Sequence, residues 1–294
     1  MTDRSTVVGF VGLGAMGSRM AAGLLEAGYP LVVYNRSPER AAAFDSSSAE
    51  VVATPAQVAE RAEIVCGCLL DGDAIEQVYG GPDGLISRSR RGQVYVEHGT
   101  FAPDLARDVA ARLGARGATF LDAPVTGGPD AASSGNLTMM IGGPAEALPK
   151  VLDVLGSYAA RIRYIGDSGA GLELKLVNQL LVSCHVAAAA EAIAILRQLR
   201  LPLDVASEVL NAGWAASAML DRSLTRHRNE LSEESDVTIG GLVEPQRLAA
   251  QLAAGLGLDL TLLPTVAKLF ADASMDGMAK KDLAALVRMF QNEQ

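Results

Sequence analysis

Cysteine and positive charge are both in short supply in this chain, and each shortage excludes a class of protein. The three cysteines, Cys66, Cys68 and Cys184, are odd in number and form no C-x-x-C pair. By themselves they build neither a disulfide framework nor a zinc site, so no metal is expected and a reducing compartment is the simpler setting. Lysine and arginine total 25 against 34 aspartates and glutamates, a formal net charge of −9. A nucleic-acid binder held by phosphate contacts needs the opposite balance. Long apolar runs are missing too. The longest nearly uncharged stretch, Leu176 to Ala190, is interrupted by Asn178, Gln179, Ser183 and His185. It falls short of the roughly 20 apolar residues of a spanning helix, so a buried helix is expected there and no membrane span. The opening Met-Thr-Asp-Arg-Ser runs straight into a short apolar stretch carrying glycines, which is not the pattern of a signal peptide. Together these features predict a cytoplasmic protein.

What the chain does have is apolar content. Hydrophobic residues make up 49% and charged residues 20% of its 294 positions, enough for a real core. The length suggests two domains or one large one. In the first half, β-rich runs alternate with helical patterns. Strands are expected at Val7–Val11, Leu31–Tyr34, Ile64–Cys68, Gln93–Glu97, Thr119–Asp122, Thr138–Ile141 and Arg163–Ile165. Helices are expected between them at Ala15–Ala27, Pro38–Phe44, Ala74–Tyr79, Pro103–Leu113 and Ala145–Leu155. Strands separated by helices of this length imply an α/β domain with a parallel sheet covered on both faces. After Gly171 the β pattern stops. Leu172 to Leu199 reads as one long helix ending before Pro202, and the rest reads as all-helical, with an acidic exposed stretch at Glu230–Asp236. The boundary is placed in the glycine-rich turn Gly166–Gly171, dividing the chain into residues 1–166 and 167–294. No internal repeat appears.

Gly12-Leu13-Gly14-Ala15-Met16-Gly17 is a G-x-G-x-x-G motif that follows the first expected strand and opens a helix. Glycines there permit a tight turn, close backbone approach to a pyrophosphate and tight helix–strand packing, while the helix N-terminus offers amide donors. The end of the second strand discriminates between dinucleotides. An NAD site places an acid there for the ribose 2′-hydroxyl. This chain has Asn35-Arg36-Ser37 instead. A guanidinium matches a 2′-phosphate and a hydroxyl can add a hydrogen bond, which favours NADP with NAD as the alternative.

Four segments taken together carry a resemblance. They are Gly12–Gly17, Asp122-Ala123-Pro124-Val125-Thr126-Gly127-Gly128, Gly135-Asn136-Leu137-Thr138, and Gly169-Ala170-Gly171 followed by Lys175-Leu176-Val177-Asn178. In this order and spacing the chain resembles the β-hydroxyacid dehydrogenase family over nearly its whole length. The resemblance implies an N-terminal Rossmann domain, a long interdomain helix and an all-α C-terminal domain that mediates oligomerisation, as a homodimer or homotetramer. It implies that Lys175 is the catalytic lysine, that Thr126, Gly127 and Gly128 form the substrate segment with threonine in place of serine, and that Asn178 is the asparagine one turn beyond the lysine. Leu69 and Leu70 align with a Leu-Pro pair beside the cofactor, so the proline is lost. Glu97-His98-Gly99-Thr100 stands where the family often has Asp-x-Ser-Thr, and Thr100 keeps the hydroxyl expected near the nicotinamide. Family members usually carry a Lys-Asp pair in the C-terminal domain. Here Glu244-Pro245 occupies that register, and Lys281-Asp282 lies out of it. A carboxylate facing a phosphate-bearing cofactor would repel it, so Glu244 must point away, be protonated or meet a cation, for which Arg247 is the candidate.

The chemistry of these residue types is consistent with that family. Lys175 and Asn178 are three apart on an expected helix and so share a face. Hydride reduction of a carbonyl needs a proton donor at oxygen, and an ammonium can serve; the neutral amine can take the proton back in reverse. Burial between domains lowers a lysine's pKa toward working pH. Successive amides at Thr126–Gly128 offer a concave site for a substrate carboxylate. His185, ten residues beyond Lys175, is expected in a core or interface; for His98 a structural role weighs at least as much as a functional one; Trp214 is assigned to packing. The expected activity is NADP-dependent hydride transfer to or from a short 3-hydroxy acid, semialdehyde or keto acid. Two alternatives are an imine reductase, against which the presence of Lys175 argues, and a cofactor-binding protein without turnover.

Overall fold

The computed structural model describes residues 4–45, 48–230 and 234–291. Its contacts divide the chain into two compact units, one ending at Lys175 and one starting at Leu176. The division falls later than the turn at 166–171 because the first residues of the long helix belong to the sheet: Leu172 is fully buried in the sheet core. Three of the residues in the acidic stretch expected at Glu230–Asp236, namely 231–233, lie outside the described residues.

In the first unit the chain alternates β1 (Val8–Val11), α1 (Gly17–Glu26), β2 (Leu31–Tyr34), α2 (Pro38–Ala42), β3 (Ala49–Val51), α3 (Pro55–Arg61), β4 (Ile64–Gly67), α4 (Gly72–Gly80), β5 (Val94–Glu97), α5 (Pro103–Gly114) and β6 (Thr119–Asp122). These six strands pair in parallel in the order β3-β2-β1-β4-β5-β6, with the order reversing between β1 and β4. Side chains alternate between the two faces of a strand. Val8, Phe10, Leu31, Val33, Ile64, Cys66, Val94 and Val96 enter one apolar cluster, while Val11, Val32, Val65 and Tyr95 enter the other. Both faces are thus covered, which is why these strands read as unbroken apolar runs.

β3 and α3 were not expected. Only Ala49 of β3 is buried, so its apolar signal is faint. The α3 signal was present: Thr54 accepts from the Gln57 amide while Gln57 answers the Thr54 amide, a capping box followed by Pro55 at the first helical position. The sheet also departs from a purely parallel one. After β6 come β7 (Val125–Thr126), α6 (Gly128–Ser133), β8 (Leu137–Gly142), α7 (Leu148–Leu155) and β9 (Ala159–Gly166). β8 runs antiparallel to β6 and β7, and β9 returns parallel to β8. Residues 127–136 are too few for the crossover a parallel β7–β8 pair would need, whereas α7 supplies one between β8 and β9.

A buried polar chain crosses this core. His98 Nδ1 lies 2.8 Å from the Ala123 carbonyl, and Nε2 lies 2.9 Å from the Tyr158 hydroxyl. A carbonyl only accepts, so Nδ1 carries the proton and Nε2 accepts from Tyr158. Burial pushes His98 down to about 4, which keeps it neutral. Both ring nitrogens are therefore engaged internally.

The second unit continues α8 (Ala170–Gln198), then α9 (Leu203–Asn211), α10 (Ala218–Arg228), α11 (Val243–Gly255) and α12 (Leu262–Ala273), and ends in a 3-10 segment, Leu283–Phe290. Val186, Ala189, Ala190 and Ile193 of α8 form one stripe, buried with Leu220, Leu224, Phe270 and Leu286. Asp282 is buried and binds both Nη atoms of Arg222 at 2.9 and 2.6 Å, and it accepts from the Ala284 amide. The Lys281-Asp282 pair thus includes the carboxylate that ties α10 to the chain end. His185 is exposed, which excludes the core role expected for it and leaves the interface one. The packing role expected of Trp214 fails. Trp214 is fully exposed because it sits in the turn between α9 and α10 and not on a helix face. α8 is 29 residues long and contains an 18-residue window of mean hydropathy 1.7, so it is long and apolar enough to cross a membrane by length and composition only, unlike the shorter uncharged run.

Removing the hydroxyl of Tyr158 tests the polar chain. Tyr158→Phe leaves His98 Nε2 buried without a donor, and urea unfolding should register a loss of about 1–3 kcal/mol. An unchanged midpoint would contradict the assignment.

Candidate functional site

The candidate site runs along the C-terminal edge of the first unit's sheet, beside the reversal of strand order between β1 and β4, the place where ligands of open α/β sheets bind. The loop from Gly12 to Gly17 joins β1 to α1. A Cβ on Gly12 would lie 2.5 Å from the Cys68 carbonyl oxygen, and one on Gly17 would lie 1.9 Å from the Gly12 carbonyl oxygen. These two glycines are needed by the fold. Gly14 is different: a Cβ there meets nothing nearer than Arg40 Nη1 at 3.9 Å. Space is kept open beside Gly14, where the loop turns into α1 with the Ser18 amide on the Gly14 carbonyl and the Arg19 and Met20 amides on that of Met16. The loop therefore fits a pyrophosphate.

The loop is held from β2. Asn35 Oδ1 accepts from the Leu13 amide at 2.8 Å, and Asn35 Nδ2 donates to the Ser37 carbonyl at 2.9 Å. The Asn35 side chain thus shapes the cradle from within. Arg36 is exposed, and none of the described residues pairs with it. Ser37 caps α2 by position, half-buried. Sequence reasoning missed Arg40. It stands four residues after Arg36, on α2, with its guanidinium beside Gly14; the i, i+4 pair of arginines was the available signal.

On the other side of the reversal, Leu69 and Leu70 follow β4 and Thr100 follows β5. Leu69 is half-buried with its Cδ2 3.1 Å from the Gly12 Cβ position, whereas Leu70 is largely exposed. Thr100 is half-buried. Beyond β6, Thr126 lies on β7, followed by Gly127 at φ +131° and Gly128 at φ +73°. Both glycines hold backbone that side-chain-bearing residues rarely adopt, which explains the Gly-Gly after Thr126.

Asp122 joins this edge to α8. It is buried at the end of β6, accepting from the Gly169 amide at 2.7 Å and the Leu172 amide at 2.9 Å. Burial raises its pKa, while those amide hydrogen bonds and others from the backbone lower it. One turn later comes Lys175, 8% exposed, its pKa pushed down to about 8 by burial. None of the described residues gives its Nζ a hydrogen bond or ion pair. Three residues on along the same helix, Asn178 Oδ1 is buried and likewise lacks a partner among the described residues. Unpartnered buried polar atoms are costly, and a bound ligand or water is one way such an atom is satisfied.

In the second unit, Glu244 opens α11 and is met by Arg247, whose Nε donates to Oε2 at 2.7 Å and whose Nη2 bonds Oε1. The Arg247 hydrogen bonds hold the Glu244 carboxyl below its ordinary pKa, so it is ionised and paired.

Residues 7–166, more than half of the chain, match the family described as the NAD binding domain of 6-phosphogluconate dehydrogenase. Residues 169–290 match the family described as NAD-binding of NADP-dependent 3-hydroxyisobutyrate dehydrogenase. The chain is 34% identical over 206 residues to the mitochondrial 3-hydroxyisobutyrate dehydrogenase of Homo sapiens, covering 70% of this chain and 61% of that protein. It therefore spans less than two thirds of that relative. It is 31% identical over 285 residues to L-threonate dehydrogenase of Cupriavidus necator, covering 96% of this chain and 95% of the relative. A crystal structure of 3-hydroxyisobutyrate dehydrogenase from Salmonella typhimurium superposes with a TM-score of 0.88 at 29% identity, covering 97% of this chain and 100% of that one.

The two kinds of glycine in the loop separate by substitution. Gly14→Ala should leave unfolding stability within about 0.5 kcal/mol and weaken dinucleotide binding by about 1–3 kcal/mol, the cost of forcing a methyl group into a filled site. Gly17→Ala should destabilise the fold itself. Calorimetric titration beside urea unfolding measures both, and equal effects of the two variants on stability would contradict the division of roles.

Proposed function

Because this chain belongs to the β-hydroxyacid dehydrogenase family, we propose that it is an NADP-dependent oxidoreductase interconverting a short 3-hydroxy acid and its semialdehyde or keto acid. In this reading residues 1–166 bind the cofactor, and residues 167–294 supply substrate contacts and the interface of a homodimer or homotetramer. Exposed apolar side chains of the helical unit, among them Ile195, Leu199, Val205 and Val209, support that interface.

The observation that carries the reading is Lys175: buried, without a partner among the described residues, its pKa lowered to about 8 by that burial. The nicotinamide supplies or accepts a hydride when bound. As negative charge builds on the carbonyl oxygen during reduction, the Lys175 ammonium donates its proton there; in oxidation the neutral amine takes the alcohol proton. Asn178, one turn on, binds the substrate through the side chain whose Oδ1 is unpartnered. The Thr126 hydroxyl and the backbone of Gly127 and Gly128 hold the carboxylate. Gly12, Leu13, Gly14, Ala15, Met16 and Gly17 receive the pyrophosphate. Arg36 and Ser37 receive the 2′-phosphate, and Leu69, Leu70 and Thr100 line the nicotinamide side.

The test is a screen of small hydroxy acids and semialdehydes with NADP and NAD, following absorbance of the reduced nicotinamide. With an active substrate in hand, Lys175→Ala should lower kcat by at least about 10²-fold, the usual worth of general acid–base catalysis, with NADP affinity close to wild type. Lys175→Arg should fail equally, since a guanidinium does not deprotonate. The sign of the pH dependence follows from the pKa lowered to about 8. Oxidation needs the neutral amine and should rise through that value, and reduction needs the ammonium and should fall through it. An active Lys175→Ala enzyme with an unchanged profile would overturn the role.

Arg36 sets the cofactor preference. Arg36→Ala should weaken NADP by about 1–3 kcal/mol, the range for hydrogen bonds to charged groups, and barely change NAD. A wild type binding both equally would contradict the assignment.

A further inference from the structure

Glu97 ends β5 and is completely buried, yet the chemistry above does not use it. One oxygen, Oε1, accepts from the Leu69 amide at 3.0 Å and from the Gly99 amide at 2.9 Å; the other, Oε2, accepts from the Tyr79 hydroxyl at 3.2 Å. Leu69 and Gly99 belong to the turns that follow β4 and β5. The surroundings are carved to admit this side chain. Gly67 pairs with Glu97 across the two strands, and a Cβ there would lie 2.0 Å from Oε2. The turns also touch each other, since a Cβ on Gly99 would lie 2.5 Å from the Leu69 carbonyl oxygen. Through Cys68 and Leu69, the first turn backs Gly12.

Arg36 follows β2, on one side of the reversal in strand order, whereas both turns held by Glu97 lie on the other. A dinucleotide whose 2′-phosphate meets Arg36 and whose pyrophosphate meets Gly14 must extend its nicotinamide half toward the β4 and β5 turns.

We propose that Glu97 is a positioning residue for the nicotinamide half of the cofactor cradle, its Oε1 setting the spacing between the turns at 69–70 and 99–100. It rests on the dinucleotide reading above. The device works through acceptor atoms and reach, not through charge. Among the described residues no cation pairs with the carboxyl; the groups around it are Tyr79, Cys66 and Cys68, each pushed upward by burial with Glu97 adding to the shift. Burial likewise raises Glu97 to about 7. On protonation Oε1 still accepts both amides while Oε2 donates to the Tyr79 oxygen. Glutamine can reproduce that arrangement. Leucine removes both acceptors, and aspartate keeps the charge but is one methylene too short to reach both amides.

The experiment compares the affinity for NADPH with that for adenosine 2′,5′-bisphosphate, which carries the adenosine half alone, in wild type, Glu97→Gln, Glu97→Asp and Glu97→Leu. Circular dichroism checks folding. In Glu97→Leu and Glu97→Asp the preference for NADPH should fall by about tenfold, the equivalent of two lost hydrogen bonds, with the bisphosphate bound as in wild type. Glu97→Gln should keep both affinities. If Glu97→Leu fails to fold, Glu97→Asp against Glu97→Gln decides. A Glu97→Gln loss as large as that of Glu97→Asp, or an unchanged preference in Glu97→Asp, overturns the role. A wild type that binds neither ligand overturns the dinucleotide reading and this one with it.

Discussion

Two buried carboxylates at neighbouring strand ends, Glu97 and Asp122, organise the working edge of the sheet. They are paired across β5 and β6, and both are spent mainly on backbone amides. Leu69 and Gly99 donate to one, Gly169 and Leu172 to the other. Burial raises the pKa of both. Desolvating a carboxyl is unfavourable unless its acceptors are filled, so each of these side chains demands its amide donors in place. That demand fixes the turns after β4 and β5 and the start of α8, three segments with no ladder of their own to hold them. Lys175 then stands one turn beyond an anchored helix end.

The legibility of this architecture from sequence tracks the strength of its local signals. β1, β2, β4 and β5 are buried on both faces, so their letters alone mark them. The G-x-G-x-x-G loop was readable because its spacing encodes a turn, and Asn35-Arg36-Ser37 because it replaces an expected acid. What escaped depended on partners distant in sequence. Asn35 looks like a ligand contact until its Oδ1 is found on the Leu13 amide. Glu97 looks like a variant of a motif until both turns are seen converging on one oxygen. Antiparallel β8 follows from a connection too short to cross over, and that length is informative only once β7, two residues long, is recognised. Trp214 shows the reverse error, for a large aromatic was assigned to packing although a turn carries it into solvent.

Glu244 illustrates how a departure from a family pattern is absorbed. In isolation, a carboxylate near an expected phosphate is repulsive. With Arg247 across one helical turn in a two-point contact, the pair presents no net charge. Both side chains are about half exposed, so the contact contributes little stability. Its consequence is that the Glu244 carboxylate is neutralised by a cation on its own helix.

Lys175 is the costly part of the design. Its ordinary value of 10.5 is lowered to about 8 in the fold, so between those values the unfolded chain binds the extra proton and the folded chain does not. Stability must then rise with pH across that window, and below about 8 the full penalty applies, on the order of 3 kcal/mol. A structural lysine would avoid this by reaching solvent or a carboxylate. The Asp122 oxygens accept from the Gly169 and Leu172 amides and are not paired with the amine. With both Asp122 oxygens committed to backbone amides, burial alone sets the lowered pKa of Lys175, the condition that the proposed proton transfer requires.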